Sequence, residues 1–246
     1  MNIVLFDGSP VFSRNDARYQ HIRKILKKGV GDSFLAGIVD GPEGVATITA
    51  LDDASLSFSF KPERPARPLF PVRLVVGFPR PIQLKRLLRD VASLGVASVT
   101  LSGTDLGEKS YRESTLVDRG AAREGLLEGC MQAGGTAVPF LDLVDSVDVA
   151  IDRAFSEPYA RVILLDTVNP DCGLVNSPLL DGVSAKSPLV MIVGSERGWT
   201  ARERALFRDA GCAVCSLGTR ILRTETACTA AIAIALARSG FMEGNA

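Results

Sequence analysis

Leu189-Val190-Met191-Ile192-Val193-Gly194-Ser195-Glu196-Arg197-Gly198 is an unbroken apolar run that ends in a charged turn bounded by glycines. A strand with one wet face alternates apolar and polar residues. A run that is apolar at every position needs cover on both faces, as a parallel strand between two layers of helices has. Arg161-Val162-Ile163-Leu164-Leu165-Asp166 reads the same way, and Val72-Arg73-Leu74-Val75-Val76-Gly77 nearly so. Between such runs, apolar residues recur at helical spacing, as Leu84, Leu87, Leu88 and Val91 do. Strands are expected at 72–77, 96–101, 137–141, 161–166, 189–194 and 213–217. Helices are expected at 82–94, 112–132, 144–155, 200–210 and 225–238. This alternation predicts an open α/β sheet over residues 69–246. Thr200-Ala201-Arg202-Glu203 carries the capping-box pattern of a helix start.

The stretch before residue 69 reads differently. Ile3–Phe6, Ser33–Val39, Val45–Thr49 and Leu56–Phe60 are short strand-like pieces separated by turns at Gly29, Gly31-Asp32 and Asp40-Gly41-Pro42. A short basic helix is expected over residues 17–28, and the whole reads as a small β-barrel over residues 1–68. Lys61-Pro62-Glu63-Arg64-Pro65-Ala66-Arg67-Pro68 holds three prolines, which interrupt both helix and sheet ladders, so it is expected to be a linker.

The 246 residues give room for a large core, and 28 basic residues balance 28 acidic ones. A neutral chain is a poor nonspecific nucleic-acid coat, because such binding draws on many Lys/Arg–phosphate contacts. Yet Arg14, Arg18, Arg23, Lys24, Lys27 and Lys28 fall within fifteen residues, with Asp16 the only acid among them. The cluster reads either as a solvated helix face or as a phosphate-binding patch. The chain has no apolar run long enough to span a bilayer, and its start lacks the pattern of a signal peptide, so a cytoplasmic protein is expected. The five cysteines, an odd number in apolar or helical surroundings, read as reduced thiols. Cys212-Ala213-Val214-Cys215 lacks the further ligands that a zinc site needs, and no metal is expected.

In open α/β sheets, ligands bind beyond the carboxyl ends of the strands. Two such ends carry the informative residues. The first is Gly194–Gly198, where missing side chains let a ligand approach the backbone. It is neither a Walker loop nor a dinucleotide fingerprint. The second is Gly218-Thr219-Arg220-Ile221-Leu222-Arg223-Thr224-Glu225-Thr226. Helix capping accounts for Thr224 and Glu225, but it does not account for two arginines in that loop. Arginine there can pair with phosphate or polarise a base carbonyl.

Leu217–Ala227 resembles the C-terminal signature of the RsmE family of 16S rRNA uridine-N3 methyltransferases. Gly194–Gly198, followed by Glu203, is similar to that family's G-P-E-G-G loop, with Ser195 in place of proline and Arg197 in place of glycine. His21–Lys27 with Gly31-Asp32, Leu94-Gly95-Val96, and Gln132 with Gly134 match its other motifs, with Ser93 where glutamate is usual. The resemblance implies a SPOUT-type parallel sheet with a C-terminal trefoil knot, preceded by a PUA-like barrel, in a homodimer. It implies S-adenosylmethionine as cofactor, held by Leu165, Asp166, Gly194, Glu196, Gly198, Leu217, Gly218, Ile221, Leu222 and Thr226. The demands of that reaction make Arg223 the candidate for stabilising a base oxygen or anchoring the nucleotide, and Glu225 either a proton acceptor or a helix-start residue. Arg18, His21, Arg23, Lys24 and Lys27 become candidate contacts to small-subunit ribosomal RNA, with His21 also readable as structural. Two rivals share the pattern: a SPOUT enzyme acting on a ribose 2′-hydroxyl, and a non-catalytic RNA-binding assembly factor that keeps the fold.

Overall fold

The computed structural model describes residues 2–112 and 119–243. The chain divides into two compact units, Met1–Pro68 with Leu127–Val138, and Leu69–Leu126 with Pro139–Ala246.

The first unit is a five-stranded half-barrel. Its elements are β1 (Val4–Phe6), β2 (Val11–Ser13), α1 (Ala17–Gln20), β3 (Ser33–Ile38), β4 (Glu43–Leu51) and β5 (Ser55–Arg64). The strand order is β1-β3-β4-β5-β2, parallel only between β1 and β3. Phe6, Phe12, Tyr19, Ile22, Phe34, Ile48, Leu56 and Phe58 fill it. Phe6 meets Phe58 edge-on with ring centroids 5.2 Å apart, a favoured aromatic geometry. The expected helix over 17–28 is shorter: α1 passes into a π-helical turn over His21–Ile25 and stops. The expected linker also changes. β5 runs through Lys61 and Pro62 to Arg64, with Pro62 opposite Gly44 at a register shift. A proline is tolerated there because β2 pairs with β5 only over Ser55–Ser57, so beyond that point β5 is an edge. Thr136, almost fully buried, donates to the carbonyl of Gly41 (2.6 Å), and the N–H groups of Asn2 and Ile3 both donate to Met131. Residues 127–138 thus group with the half-barrel.

The second unit holds β6 (Phe70–Gly77), α2 (Pro81–Ser93), β7 (Val96–Ser102), α3 (Lys109–Arg112), α4 (Arg119–Ala133, whose end lies in the first unit), β8 (Phe140–Val144), α5 (Val147–Ser156), β9 (Arg161–Leu165), β10 (Cys172–Gly173), β11 (Leu189–Val193), α6 (Ala201–Asp209), β12 (Ala213–Ser216) and α7 (Thr224–Arg238). All seven strands pair in parallel, in the order β10-β12-β9-β11-β6-β7-β8. Met191 of the central strand lies between Leu74 and Ile163, and all three are fully buried. This is the doubly covered α/β sheet that the apolar runs predict. The strand expected at 137–141 lies at Phe140–Val144 instead, because Val138 N–H is held by the carboxylate of Asp40 in the first unit (2.8 Å). Part of the helix expected at 112–132, residues 113–118, lies outside the described residues.

Because the strands are parallel, the turns after Gly77, Leu165, Val193 and Ser216 share one edge of the sheet. β9 lies between β12 and β11, yet Thr224 Oγ1, beyond β12, donates to the carbonyl of Gly194, just after β11 (3.4 Å). The chain after β12 therefore crosses the end of β9, the kind of crossing a knot requires.

Candidate active site

A cleft of about 540 Å³ opens at this edge, within the usual ~300–1,000 Å³ range of ligand sites. Leu165, Asp166, Gly194, Glu196, Gly198, Leu217, Ile221 and Leu222 line it, together with Arg223 and Glu225. Gly218 and Thr226 are not part of the lining. Gly218 turns the chain at φ +101°, and Thr226 is exposed on α7. Ser195 and Arg220, inside the loops the sequence pointed to, also line it, while Arg80, Gln83, Thr167, Val193, Trp199, Thr224 and Ala227 were not expected there.

The loop after β11 is built by close backbone approach. Gly198, at φ +69°, closes a turn by donating to the carbonyl of Ser195 (2.9 Å). A Cβ on Gly77 would lie 2.6 Å from the nitrogen of Ser195, so β6 can support this loop only without a side chain there. Ser195 Oγ, where the family has proline, lies 3.2 Å from Thr104 Oγ1 and accepts its hydrogen bond. Trp199 is buried, packs edge-on against Phe207 at 4.7 Å, and donates from Nε1 to the carbonyl of Leu165 (3.3 Å). That indole ties the loop after β11 to the end of β9. The chain's one tryptophan, directly after a glycine-rich strand end, was the signal that could have found it.

Several charged residues turn out to hold the walls. Glu196 Oε1 accepts the backbone N–H of Arg80 at the start of α2 (2.8 Å). Asp166, expected at the cofactor, directs its carboxylate to Arg204 Nε (2.6 Å) and to the N–H of Thr167 (2.7 Å). Glu203 completes the capping box of α6 and also accepts the N–H of Asp105 (2.8 Å), fully buried and away from the cleft lining. Arg197 pairs with Glu108. Thr224 does not cap α7, because its hydroxyl goes to Gly194. The N-cap position is Arg223, whose side chain makes no cap hydrogen bond. Arg80, Arg220 and Arg223 line the cleft without an acidic partner among the described residues, while Glu225 is almost wholly buried beside them.

The cysteines lie outside the cleft lining and are all free. Burial pushes the thiols of Cys212 and Cys215 up to about 12. Among the described residues, no group of His, Cys, Asp or Glu could hold a metal ion, and no helix is long and apolar enough to cross a membrane.

In the first unit the basic cluster is partly spoken for. Arg18 binds Asp16 (2.6 Å) and the carbonyl of Leu5 (3.0 Å), and lies 4.3 Å over the ring of Phe12. This pairing holds the Asp16 carboxyl below the usual range. Arg23 binds Asp53 (2.9 Å), the carbonyl of Asp52 (3.1 Å) and the hydroxyl of Tyr19. Lys24 and Lys27 stay exposed. His21 Nε2 is buried without a partner, and burial lowers its pKa toward the neutral imidazole.

The comparisons with known proteins agree on one family. The family model of the RNA methyltransferase domain matches residues 65–236. The ribosomal RNA small subunit methyltransferase E of Treponema pallidum is 41% identical, over 97% of this chain and 92% of that protein. The ribosomal RNA small subunit methyltransferase E 1 of Borreliella burgdorferi is 31% identical, over 89% of both. The crystal structure of the corresponding Neisseria gonorrhoeae methyltransferase, bound to S-adenosyl methionine, superposes with a TM-score of 0.77. It is 22% identical and covers 97% of this chain and 98% of that one, so it shows a shared fold. A cleft walled by the turns after β9, β11 and β12, a matching domain model and near-full-length relatives place the chain in the RNA methyltransferase family, among the ribosomal RNA small subunit methyltransferase E (RsmE) enzymes.

Proposed function

We propose that this chain transfers a methyl group from S-adenosylmethionine to N3 of a uridine in small-subunit ribosomal RNA. The observation that carries the proposal is the composition of one cleft: backbone loops turned by glycine on one side, and three arginines without acidic partners among the described residues. The residues fit the donor. A Cβ built on Gly198, a lining residue, meets nothing within 4 Å, so the loop backbone there faces open space against which a flat adenosine can lie. Leu165, Leu217, Ile221 and Leu222 supply apolar contact to the adenine, and loop carbonyls supply acceptors.

S-adenosylmethionine supplies an electrophilic methyl group on a positively charged sulfur. The protein must hold the base with N3 facing that methyl, since orientation is a large part of such catalysis. It must also receive the N3 proton and stabilise the charge that spreads onto the flanking carbonyl oxygens. Arg223 lies in the cleft wall without an acidic partner among the described residues and is assigned to such an oxygen. Glu225, on the first turn of α7 and in the cleft lining, is assigned as the proton acceptor, directly or through water, its other reading being a helix-start residue. Lys24 and Lys27 of the half-barrel are assigned to RNA phosphates, with His21 beside them. Arg18 and Arg23 serve chiefly to hold their own unit together. A homodimer in the cytoplasm completes the proposal, and light scattering tests its size.

The deciding experiment incubates the protein and S-adenosylmethionine with deproteinised and with intact small subunits, then digests the RNA for nucleoside mass spectrometry. 3-Methyluridine is expected. A 2′-O-methylated nucleoside would move the enzyme to the ribose-modifying reading. RNA binding without any methylated product would favour the assembly-factor reading.

A further inference from the structure

Resting on that reading, we infer that the first turn of α2 is the part of the cleft that recognises the target nucleotide, with Gln83 contacting the edge formed by the uracil O2 and the ribose 2′-hydroxyl, and Arg80 contacting a neighbouring phosphate. Both residues line the cleft, and neither belongs to the strand ends from which the donor site was expected. Arg80 is the N-cap of α2 and Gln83 lies in its first turn, so one helix start carries both to the cleft. In the sheet β6, which leads into α2, lies on one side of β11, while β9 and β12 lie on the other. The α2 turn therefore enters the cleft from the side opposite the turns after β9 and β12.

The turn is held in place without using either side chain. Pro81 occupies the first helical position, where its missing N–H costs nothing. The backbone N–H of Arg80 is taken by Glu196. Arg80 is exposed and has no acidic partner among the described residues. Gln83 lines the cleft, and its Oε1, shut from solvent, meets no hydrogen-bond donor there among the described residues, so turning the amide into the cleft breaks no existing bond of that oxygen. A ligand hydroxyl that meets the turned oxygen supplies the partner it lacks in the free protein. The ribose 2′-hydroxyl is such a donor. The amide NH2 on the same carbon then reaches the adjacent uracil O2, leaving N3 free for the methyl group. S-adenosylmethionine carries a net positive charge, which disfavours a third arginine at its side. The phosphates of RNA favour one.

The test uses steady-state methylation of the full-length protein with RNA carrying either uridine or 2′-deoxyuridine at the target position. For the unsubstituted protein, removing the 2′-hydroxyl should raise KM about tenfold, the scale of one such hydrogen bond. Gln83→Ala and the near-isosteric Gln83→Met should raise KM on the uridine RNA by a similar factor and then be insensitive to the 2′-deoxy change. Arg80→Ala should raise KM and reduce the slope of log KM against log salt by about one, as loss of one phosphate contact does, and Arg80→Lys should restore most of it. S-adenosylmethionine affinity by calorimetry should stay within about twofold of the unsubstituted protein in all variants, since loss of a donor contact would move it by a tenfold step. Equal 2′-deoxy penalties with and without Gln83, unchanged KM values, or weakened donor binding overturn the inference. If the unsubstituted protein itself neither binds the donor nor methylates RNA, the proposed function fails first, and that outcome is distinct from any of these.

Discussion

Arg204 on α6 holds the carboxylate of Asp166 at 2.6 Å, immediately after β9, where the chain turns into the cleft. The Asp166 side chain is only 6% exposed and that of Arg204 28%, so the carboxylate, which also receives two backbone N–H groups, is largely desolvated while the guanidinium keeps part of its water. Removing one member of such a pair leaves the other without compensation. Arg204→Ala should lower stability by roughly 3 kcal/mol in urea unfolding, on the scale of a broken buried pair. It should also weaken donor binding by loosening the β9 turn. Donor affinity lost with no change in stability would instead make Asp166 a direct ligand.

Gly77 tests the close packing of β6 under the β11 loop. Its Cβ position is 2.6 Å from Ser195 N and 2.8 Å from Thr104 Cγ2, so Gly77→Ala must displace backbone. A loss of roughly 1–3 kcal/mol is expected from such overpacking. Thermal unfolding measures it, and isothermal titration should show weaker donor binding, because the displaced loop is a wall of the cleft.

Arg223→Ala should abolish most methyl transfer while leaving donor affinity within a few fold, a loss of roughly 10²-fold or more in kcat being typical when an oxyanion-type donor is removed. Arg223→Lys should recover only part, since an ammonium lacks the planar fork of a guanidinium. Full activity in Arg223→Ala sinks the catalytic assignment.

Burial makes the protein sensitive to alkaline conditions. Desolvation pushes Cys130 up to about 11 and Cys212 and Cys215 up to about 12, against roughly 8.5 in an unfolded chain. Above that lower value the unfolded state has released protons that the folded state still holds. Stability therefore falls as pH rises from about 9 toward 11. Urea midpoints at pH 7.5, 9 and 10, under reducing conditions, should decline in that order. At pH 8, iodoacetamide followed by peptide mass spectrometry should label half-buried Cys172 ahead of the four buried thiols.

The sheet was legible because strands such as Leu189–Val193 are buried at every position, and a run with no polar face has few alternatives. The capping box at Thr200 was legible for a similar reason, since both partners lie within four residues. Contacts distant in sequence were not. Arg18 reads as one charge among six until Phe12, Asp16 and Leu5 gather around it. Pro62 reads as a breaker until β5 is known to be an edge at that point. β2 has three residues and only Phe12 buried, too short to leave a periodic signature. In the cleft, the residues found were those on the glycine-bearing strand ends. Those missed, Arg80, Gln83 and Trp199, sit on helix starts or loop exits whose direction depends on the folded sheet.

The most direct measurement of the donor site is hydrogen–deuterium exchange of the full-length protein with and without saturating S-adenosylmethionine, alongside a calorimetric titration. Saturable one-to-one binding is expected, with slowed exchange concentrated at residues 165–167, 194–199 and 217–225. No binding, or protection elsewhere with these three segments unchanged, would contradict the assignment of the cleft.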